Sequence, residues 1–180
     1  MHEEVTLNRE AKAIQIPYGY EVVLPAGSRG TITQSLGGAY TLMTEQGVMV
    51  RISGTDVDAI GKQAVAGPNI EGEVSREELE KLIWEQLRTC YDPEIPVNIV
   101  ELGLVYLCEL TPQPDAGYQV GVKMTLTAPG CGMGPVLATD VRSKIMSLPG
   151  VKDADVQVVF DPVWDRSMMS EAAKLQLGIG

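Results

Sequence analysis

The sequence predicts an α+β protein, with a small all-β N-terminal domain, barrel- or sandwich-like, followed by a helix-strand-strand-helix-strand-helix domain with a small mixed sheet. Three observations indicate this fold class. The first third of the chain contains short runs of β-forming residues separated by turns rich in Gly and Pro. A polar Gly-Pro segment then separates two unlike patterns. Beyond that segment, stretches of helical periodicity alternate with stretches of strand-like alternation.

The predicted β-rich N-terminal domain comprises residues 1–66. Its clearest strand signals are four runs separated by turns, at residues 22–24, 30–34, 39–44 and 48–52. Residues 57–60 are expected to add one more short strand. Residues 5–13 fit either a first strand or a short helix, and the pattern does not decide between them. The expected role of this domain is to recruit a partner or to cover the second domain.

Residues 67–74 are the predicted linker, because this polar segment contains both Gly and Pro. The second domain, residues 75–180, opens with a helix. Ser75 and Glu78 have the spacing of a capping box and precede apolar residues on one helical face, and the helix is expected to end near Cys90.

The remaining elements of the second domain follow from alternation and periodicity. Two strands are predicted to form a hairpin, followed by a helix, a third strand and a final helix, at residues 105–110, 118–125, 135–147, 156–160 and 170–177. Because a helix lies between the second and third strands, a parallel crossover on one side of the sheet is the expected arrangement.

Composition argues against several classes of function. The 14 Lys and Arg residues against 24 Asp and Glu residues give a net charge of −10, which disfavours nucleic acid and anionic membranes as partners. No apolar run approaches the about 20 residues that span a bilayer, and the N-terminus lacks a signal-peptide pattern, so we expect a cytoplasmic protein. The 3 cysteines are widely spaced, which argues against a disulfide framework or a closed zinc site. His2 is the only histidine.

The strongest candidate for a functional side chain is Cys131, in the run Thr127-Ala128-Pro129-Gly130-Cys131-Gly132-Met133-Gly134-Pro135. This run joins a predicted strand to a predicted helix, where free amides and the helix dipole favour a thiolate. Its glycines permit backbone angles closed to other residues, and proline suits a first helical position. The alternative is that Cys131 is a small packed hydrophobe, which is the role expected of Cys90 and Cys108.

A second candidate segment extends from Tyr91 to Tyr106 and mixes carboxylates with apolar residues. In the simpler interpretation, Asp92 is a turn or cap residue that bonds nearby amides, as is Asn98. In the other, Asp92 or Glu94 faces Cys131 and binds a metal or holds a proton. Trp164, which follows the third strand, either shields the cysteine turn or anchors the C-terminal tail.

Taken together, the two motifs resemble the MIP family, also called PaaD-like. The residues that carry the resemblance are the segment from Asp92 to Tyr106 and the segment Thr125-Leu126-Thr127-Ala128-Pro129-Gly130-Cys131-Gly132-Met133. The similarity covers residues 75 to about 180, including Asp161-Pro162-Val163-Trp164 and Met168-Met169-Ser170-Glu171-Ala172. With its β-rich first half, the chain resembles two-part, SufT-like members of that family.

This resemblance implies an auxiliary role in iron–sulfur protein maturation. The implied partners are the iron–sulfur assembly machinery and client apoproteins, and the implied cofactor is iron or an iron–sulfur cluster, bound transiently through Cys131. The expected supporting residues are Asp92, Glu94, Thr127, Pro129, Gly130, Gly132, Met133 and Trp164. One thiol in the motif does not complete a four-thiolate site within one domain unless Cys90 or Cys108 converges on it. Otherwise a homodimer, external thiols or client cysteines would supply the other ligands.

Three functions are compatible with these residues. The favoured one is a non-enzymatic assembly factor. The second is a cysteine-dependent enzyme of acyl or persulfide transfer, which lacks an evident base because His2 is the only histidine. The third is a non-catalytic adaptor in which Cys131 is structural.

Overall fold

The structure, a computed structural model, describes residues 2–64, 73–92, 95–128 and 132–178. The chain divides into two compact units, one made of Met1–Ala66 with Cys131–Met133 and the other of Gly67–Gly130 with Gly134–Gly180. Most of the predicted linker, residues 67–74, lies outside the described residues.

The first unit is a six-stranded antiparallel sheet. Its strands are β1 (Glu3–Thr6), β2 (Ala11–Gln15), β3 (Tyr20–Leu24), β4 (Arg29–Leu36), β5 (Ala39–Thr44) and β6 (Met49–Ile52). Their order in the sheet is β1-β4-β5-β6-β2-β3, so β1 and β3 are the edge strands. One face of the sheet packs on a buried apolar cluster that consists of Leu7, Ala11, Ala13, Ile32, Leu42, Val50, Ile52, Val57, Ala59 and Ile60.

Two predictions for this unit are corrected or resolved by the structure. The segment Val57–Ile60 is a 3-10 helix instead of a strand, ended by Gly61 at φ 75°. Its buried residues, which include Val57 and Ile60, follow a turn spacing, while Asp58 points outward to an ion pair with Arg9. The undecided residues 5–13 contribute to β1 and β2, which are separate strands.

In the second unit the described residues form a three-stranded mixed sheet and three α-helices. Its elements are α1 (Arg76–Leu87), β7 (Val105–Pro112), β8 (Tyr118–Met124), α2 (Gly134–Met146), β9 (Val151–Val158) and α3 (Glu171–Gln176). Strands β7 and β8 pair antiparallel, and β8 and β9 pair parallel. The predicted α+β class, hairpin and parallel crossover are therefore confirmed.

Helix α1 begins where its capping box predicts. The Ser75 hydroxyl accepts a hydrogen bond from the Glu78 amide, and the Glu78 carboxylate accepts one from the Ser75 amide. Leu79, Ile83 and Leu87 recur on one face and are buried. The helix thus packs through its apolar stripe, as the periodicity indicates.

Strand β9 begins five residues earlier than the sequence predicts. The full strand is Val151–Val158, and its first residues include the exposed Lys152 and Asp153. Charged residues are uncommon in strands, so the sequence pattern does not predict a strand at these positions. Parallel pairing with β8, which starts at Tyr118 opposite Val151, specifies the early start. Within the described residues, no helix is both long enough and apolar enough to span a bilayer.

Candidate functional site

The segment that precedes β7 is folded back on itself by backbone bonds. Tyr91 and Asn98 form an isolated antiparallel bridge, and the Ile99 amide donates to the Cys90 carbonyl at 2.9 Å. The Asn98 side-chain oxygen accepts from the amides of Val100 and Glu101 at 3.1 and 3.0 Å. Asn98 therefore acts as a turn residue, which is the simpler of the two interpretations.

Asp92 is the buried carboxylate of this segment, with 5% of its surface exposed. Its Oδ1 accepts from the Ile95 amide at 3.0 Å, which is the local turn bond expected of an aspartate here. Its Oδ2 accepts from the Thr127 hydroxyl at 3.2 Å. One carboxylate thus fixes its own turn and also ties it to the segment that leads toward residue 131.

The end of strand β8 contains a second buried polar side chain, Thr125, which is 0% exposed. Its amide donates to the Leu104 carbonyl at 2.8 Å, but its Oγ1 makes no hydrogen bond of normal geometry to any described residue. A buried hydroxyl that makes no well-formed hydrogen bond costs free energy.

The Tyr106 hydroxyl lies near Thr125 and also contacts the C-terminal segment. The Tyr106 hydroxyl donates to the Pro162 carbonyl at 2.9 Å and lies 3.6 Å from Met168 Sδ. Burial raises the pKa of Tyr106, and the nearby Thr125 hydroxyl opposes that shift. Tyr106 therefore keeps its proton at neutral pH and uses it to hold the C-terminal segment.

The C-terminal segment is fastened to the loop before β7 at several points. Trp164 Nε1 donates to the Leu102 carbonyl at 2.7 Å, and the Ser170 amide donates to the Glu101 carbonyl at 2.8 Å. The Ser170 hydroxyl also donates to the Glu101 carboxylate. In this conformation Trp164 serves as an anchor of the tail, one of the two roles predicted for it.

The turn from β8 into α2 is tight at Gly134, the first residue of the helix. A Cβ atom at this position would lie 2.9 Å from Leu126 Cδ1, so any larger residue would push the end of the Leu126 side chain aside. Gly134 has no positive φ, so the space beside Leu126, and not an unusual backbone angle, is what its lack of a side chain provides. Met133 is buried, whereas Gly132 is exposed.

Four predicted site residues, Cys131, Glu94, Pro129 and Gly130, lie outside the described residues. Of the predicted set, the structure brings together Asp92 and Thr127. Sequence reasoning missed Thr125 and Tyr106 as site residues. Both belong to the motifs quoted above, yet only three-dimensional burial reveals that the Thr125 hydroxyl is enclosed.

The two described cysteines are poor metal ligands. Cys90 is 1% exposed, and its thiol lies 3.6 Å from the Gln86 carbonyl, to which it donates. Burial, and secondarily the charge of Glu80, raises the pKa of Cys108 to about 11, so this thiol stays protonated at neutral pH. Among the described residues, no group of three or more Cys, His, Asp and Glu side chains is arranged to hold a metal ion.

Comparison with known proteins shows what the second unit is similar to. A family described as "iron-sulfur cluster assembly protein" matches residues 80–158, from within α1 to the end of β9. A Porphyromonas gingivalis protein named an Fe-S protein maturation auxiliary factor is 46% identical over 99 residues, which cover 55% of this chain and 90% of that protein.

Two further relatives carry the same description. The auxiliary factor YitW of Bacillus subtilis is 40% identical over 103 residues, covering 57% of this chain and 97% of that protein. The auxiliary factor SufT of Staphylococcus aureus is 41% identical over 88 residues, covering 49% of this chain and 96% of that protein. About half of this chain thus accounts for nearly all of each relative, and the other half has no counterpart in them.

Proposed function

We propose that this chain, which belongs to the family of iron–sulfur cluster assembly proteins, acts as an auxiliary factor in the maturation of iron–sulfur proteins. The support is the name shared by three relatives, each of which is covered over at least 90% of its length. The proposed partners are the iron–sulfur assembly machinery and client apoproteins. Iron or a cluster is the cargo in this proposal and is not a resident cofactor.

At the level of residues, we propose that Cys131 is the thiol that binds the cargo. The observation that carries this assignment is the hydrogen bond from Thr127 to the buried Asp92 carboxylate, which fixes the chain four residues before Cys131. Cys90 is buried, and Cys108 is protonated at neutral pH, so neither thiol is suited to binding a soft metal ion. With one suitable thiol per chain, external ligands complete the shell, and a partly foreign shell favours release to a client.

The proposal is non-enzymatic. Acyl or persulfide transfer by Cys131 would need a base to activate the thiol, and the only histidine of the chain is His2. The Asp92 carboxylate, the nearest candidate by sequence reasoning, already accepts hydrogen bonds from Ile95 and Thr127 through its two oxygens. Transient holding of a metal needs no such base, only a thiolate.

Complementation with the full chain tests this function. Cys131→Ser is expected to lose maturation of client iron–sulfur enzymes in cells that lack their own factor, whereas Cys108→Ser, the matched control, is expected to retain it. In parallel, anaerobic reconstitution with iron and sulfide should give visible absorption that only Cys131→Ser loses. Full activity of Cys131→Ser in cells would overturn the thiol assignment and leave the adaptor as the remaining function.

A further inference from the structure

Strand β3 is an edge of the sheet in the first unit, and among the described residues no strand pairs with its outer side. It pairs only with β2, from Ala11 opposite Leu24 to Gln15 opposite Tyr20. The backbone N–H and C=O groups that point away from β2 are therefore available to another strand. Exposed strand edges are templates for pairing, so natural proteins protect them unless the edge is used.

Each of the other described edge strands contains either a proline or at least two charged residues, and β3 contains neither. Strand β1 is short and carries two adjacent carboxylates, one of which pairs with Lys62. In the second unit, β7 ends in a proline and β9 carries three charged residues, Lys152, Asp153 and Asp155. The single charge of β3, Glu21, is paired with Lys12 of β2 at 3.1 Å.

The exposed surface of β3 is aromatic and aliphatic. Tyr20 is 66% exposed and Val23 is 52% exposed. Just before the strand, Tyr18 is 59% exposed and stacks on Tyr20 with ring centroids 6.2 Å apart. Large apolar groups left in water beside unpaired backbone groups are typical of an interface.

The sequence of β3, Tyr-Glu-Val-Val-Leu, complements itself under two-fold symmetry. When two copies pair antiparallel about Val22, Tyr20 lies opposite Leu24 of the second copy and Glu21 lies opposite Val23 of the second copy. No like charges meet, and all five residues pair. A shift of the two-fold axis to Glu21 would place two carboxylates directly opposite each other, which is unfavourable.

We propose that β3 is a homodimer interface, in which two copies of this chain join their six-stranded sheets through antiparallel pairing centred on Val22. Strand addition of this kind uses main-chain hydrogen bonds for affinity and side-chain pairs for register. Because the paired strands are only five residues long, the dimer is weak and depends on protein concentration. Each dimer carries two copies of Cys131. The inference goes beyond the proposed function, because association is measured without a maturation assay.

The test uses two opposite substitutions at one exposed position. V23E places a carboxylate opposite Glu21 of the second copy at two symmetric positions, and it should raise the dimer dissociation constant about tenfold. V23K places an ammonium group opposite the same Glu21 and should keep or tighten the dimer. Sedimentation equilibrium of the full chain over a wide concentration range measures both constants.

Folding effects cannot imitate this result, because they have the opposite sign. Lys12 lies directly opposite Val23 within one chain, so V23E favours the fold of the monomer and V23K disfavours it. Thermal unfolding of both variants provides that control. A wild-type chain that is monomeric at all concentrations, or equal weakening by V23E and V23K, would overturn the proposal. Hydrogen exchange gives a further contradicting outcome. If the β3 amides become protected only when a client apoprotein is added, the edge binds a strand of another protein and not a second copy of this chain.

Discussion

The two units differ in what their buried polar side chains do. In the first unit Thr44 closes its own hairpin, since its hydroxyl donates to the Val48 carbonyl and accepts from the Val48 amide, both at 3.1 Å. In the second unit Asp92 reaches Thr127, which is 35 positions away, and Thr125 has no partner among the described residues. Polar burial in the first unit serves local folding. In the second unit the Asp92 carboxylate instead links two segments that are far apart in the sequence.

The same contrast appears in the relatives. The family match, residues 80–158, includes the segments that hold Asp92, Thr125 and Thr127. The three relatives align over at least 90% of their own length, but they match only about half of this chain. The bonded pair of Asp92 and Thr127 therefore lies in the part of the chain that is shared with the relatives, whereas the open edge of β3 lies in the additional part.

The largest effect is expected from Asp92→Ala. This substitution removes the acceptor of both the Ile95 amide and the Thr127 hydroxyl, and bonds to a charged group are worth about 1.5–3 kcal/mol each. We expect the free energy of unfolding of the second unit to fall by about 3 kcal/mol. Client maturation should fall to the level of Cys131→Ser. Urea denaturation and complementation measure the two effects.

Two variants control this experiment. Asp115→Ala removes a carboxylate that is 81% exposed and should change neither stability nor maturation. Asp92→Asn keeps an oxygen for the Ile95 amide and should retain more stability than Asp92→Ala. If Asp92→Ala is as stable and as active as wild type, the tie between the two segments has no function.

An intermediate effect is expected from a matched pair of Thr→Val substitutions, one in each unit. Thr44→Val removes two hydrogen bonds of a hairpin and should destabilise by about 1–2 kcal/mol. Thr125→Val removes a hydroxyl that makes no hydrogen bond of normal geometry to a described residue, so it should destabilise less than Thr44→Val. Thr125→Val should nevertheless lower client maturation, while Thr125→Ser should retain it. Equal destabilisation by the two valine variants would contradict the contrast between the units.

The sequence predicts those parts of the fold that depend on local signals. The capping box of Ser75 and Glu78 gives the start of α1, and the helix between β8 and β9 gives the parallel crossover. Prediction from the sequence fails where tertiary contacts override the local preference of the residues. Exposed Lys152 and Asp153 enter β9 because β8 offers a partner, and Val57–Ile60 folds as a 3-10 helix because its apolar side chains are buried at turn spacing.

The candidate site shows the same division. Asp92 and Thr127 are predicted from residue type and motif, because a carboxylate among apolar residues needs partners. That the two bond to each other is a fact of three-dimensional proximity, as is the burial of Thr125. Whether a hydroxyl is satisfied depends on neighbours that are distant in sequence, here the loop before β7, so no local pattern reveals it.

The smallest effect on stability is expected from the exposed ion pair between Arg9 and Asp58 in the first unit. Arg9 bonds both carboxylate oxygens of Asp58 at 2.8 and 2.6 Å and Asp56 at 3.1 Å. The hydrogen bond from Arg9 lowers the pKa of Asp58. Because the folded pKa lies below the unfolded one, the pair stabilises the fold above the ordinary pKa of Asp, and this contribution is lost as the pH falls through the folded pKa.

Asp58→Asn should therefore lower the melting temperature slightly at neutral pH, and the difference from wild type should shrink toward zero on acidification below about pH 4. High salt should shrink the difference as well, since the pair is exposed and is screened by ions. Thermal unfolding across pH, with Glu45→Gln as an exposed control in the same unit, measures this dependence. A difference that grows on acidification would show that Asp58 acts in the fold through something other than its ion pair with Arg9.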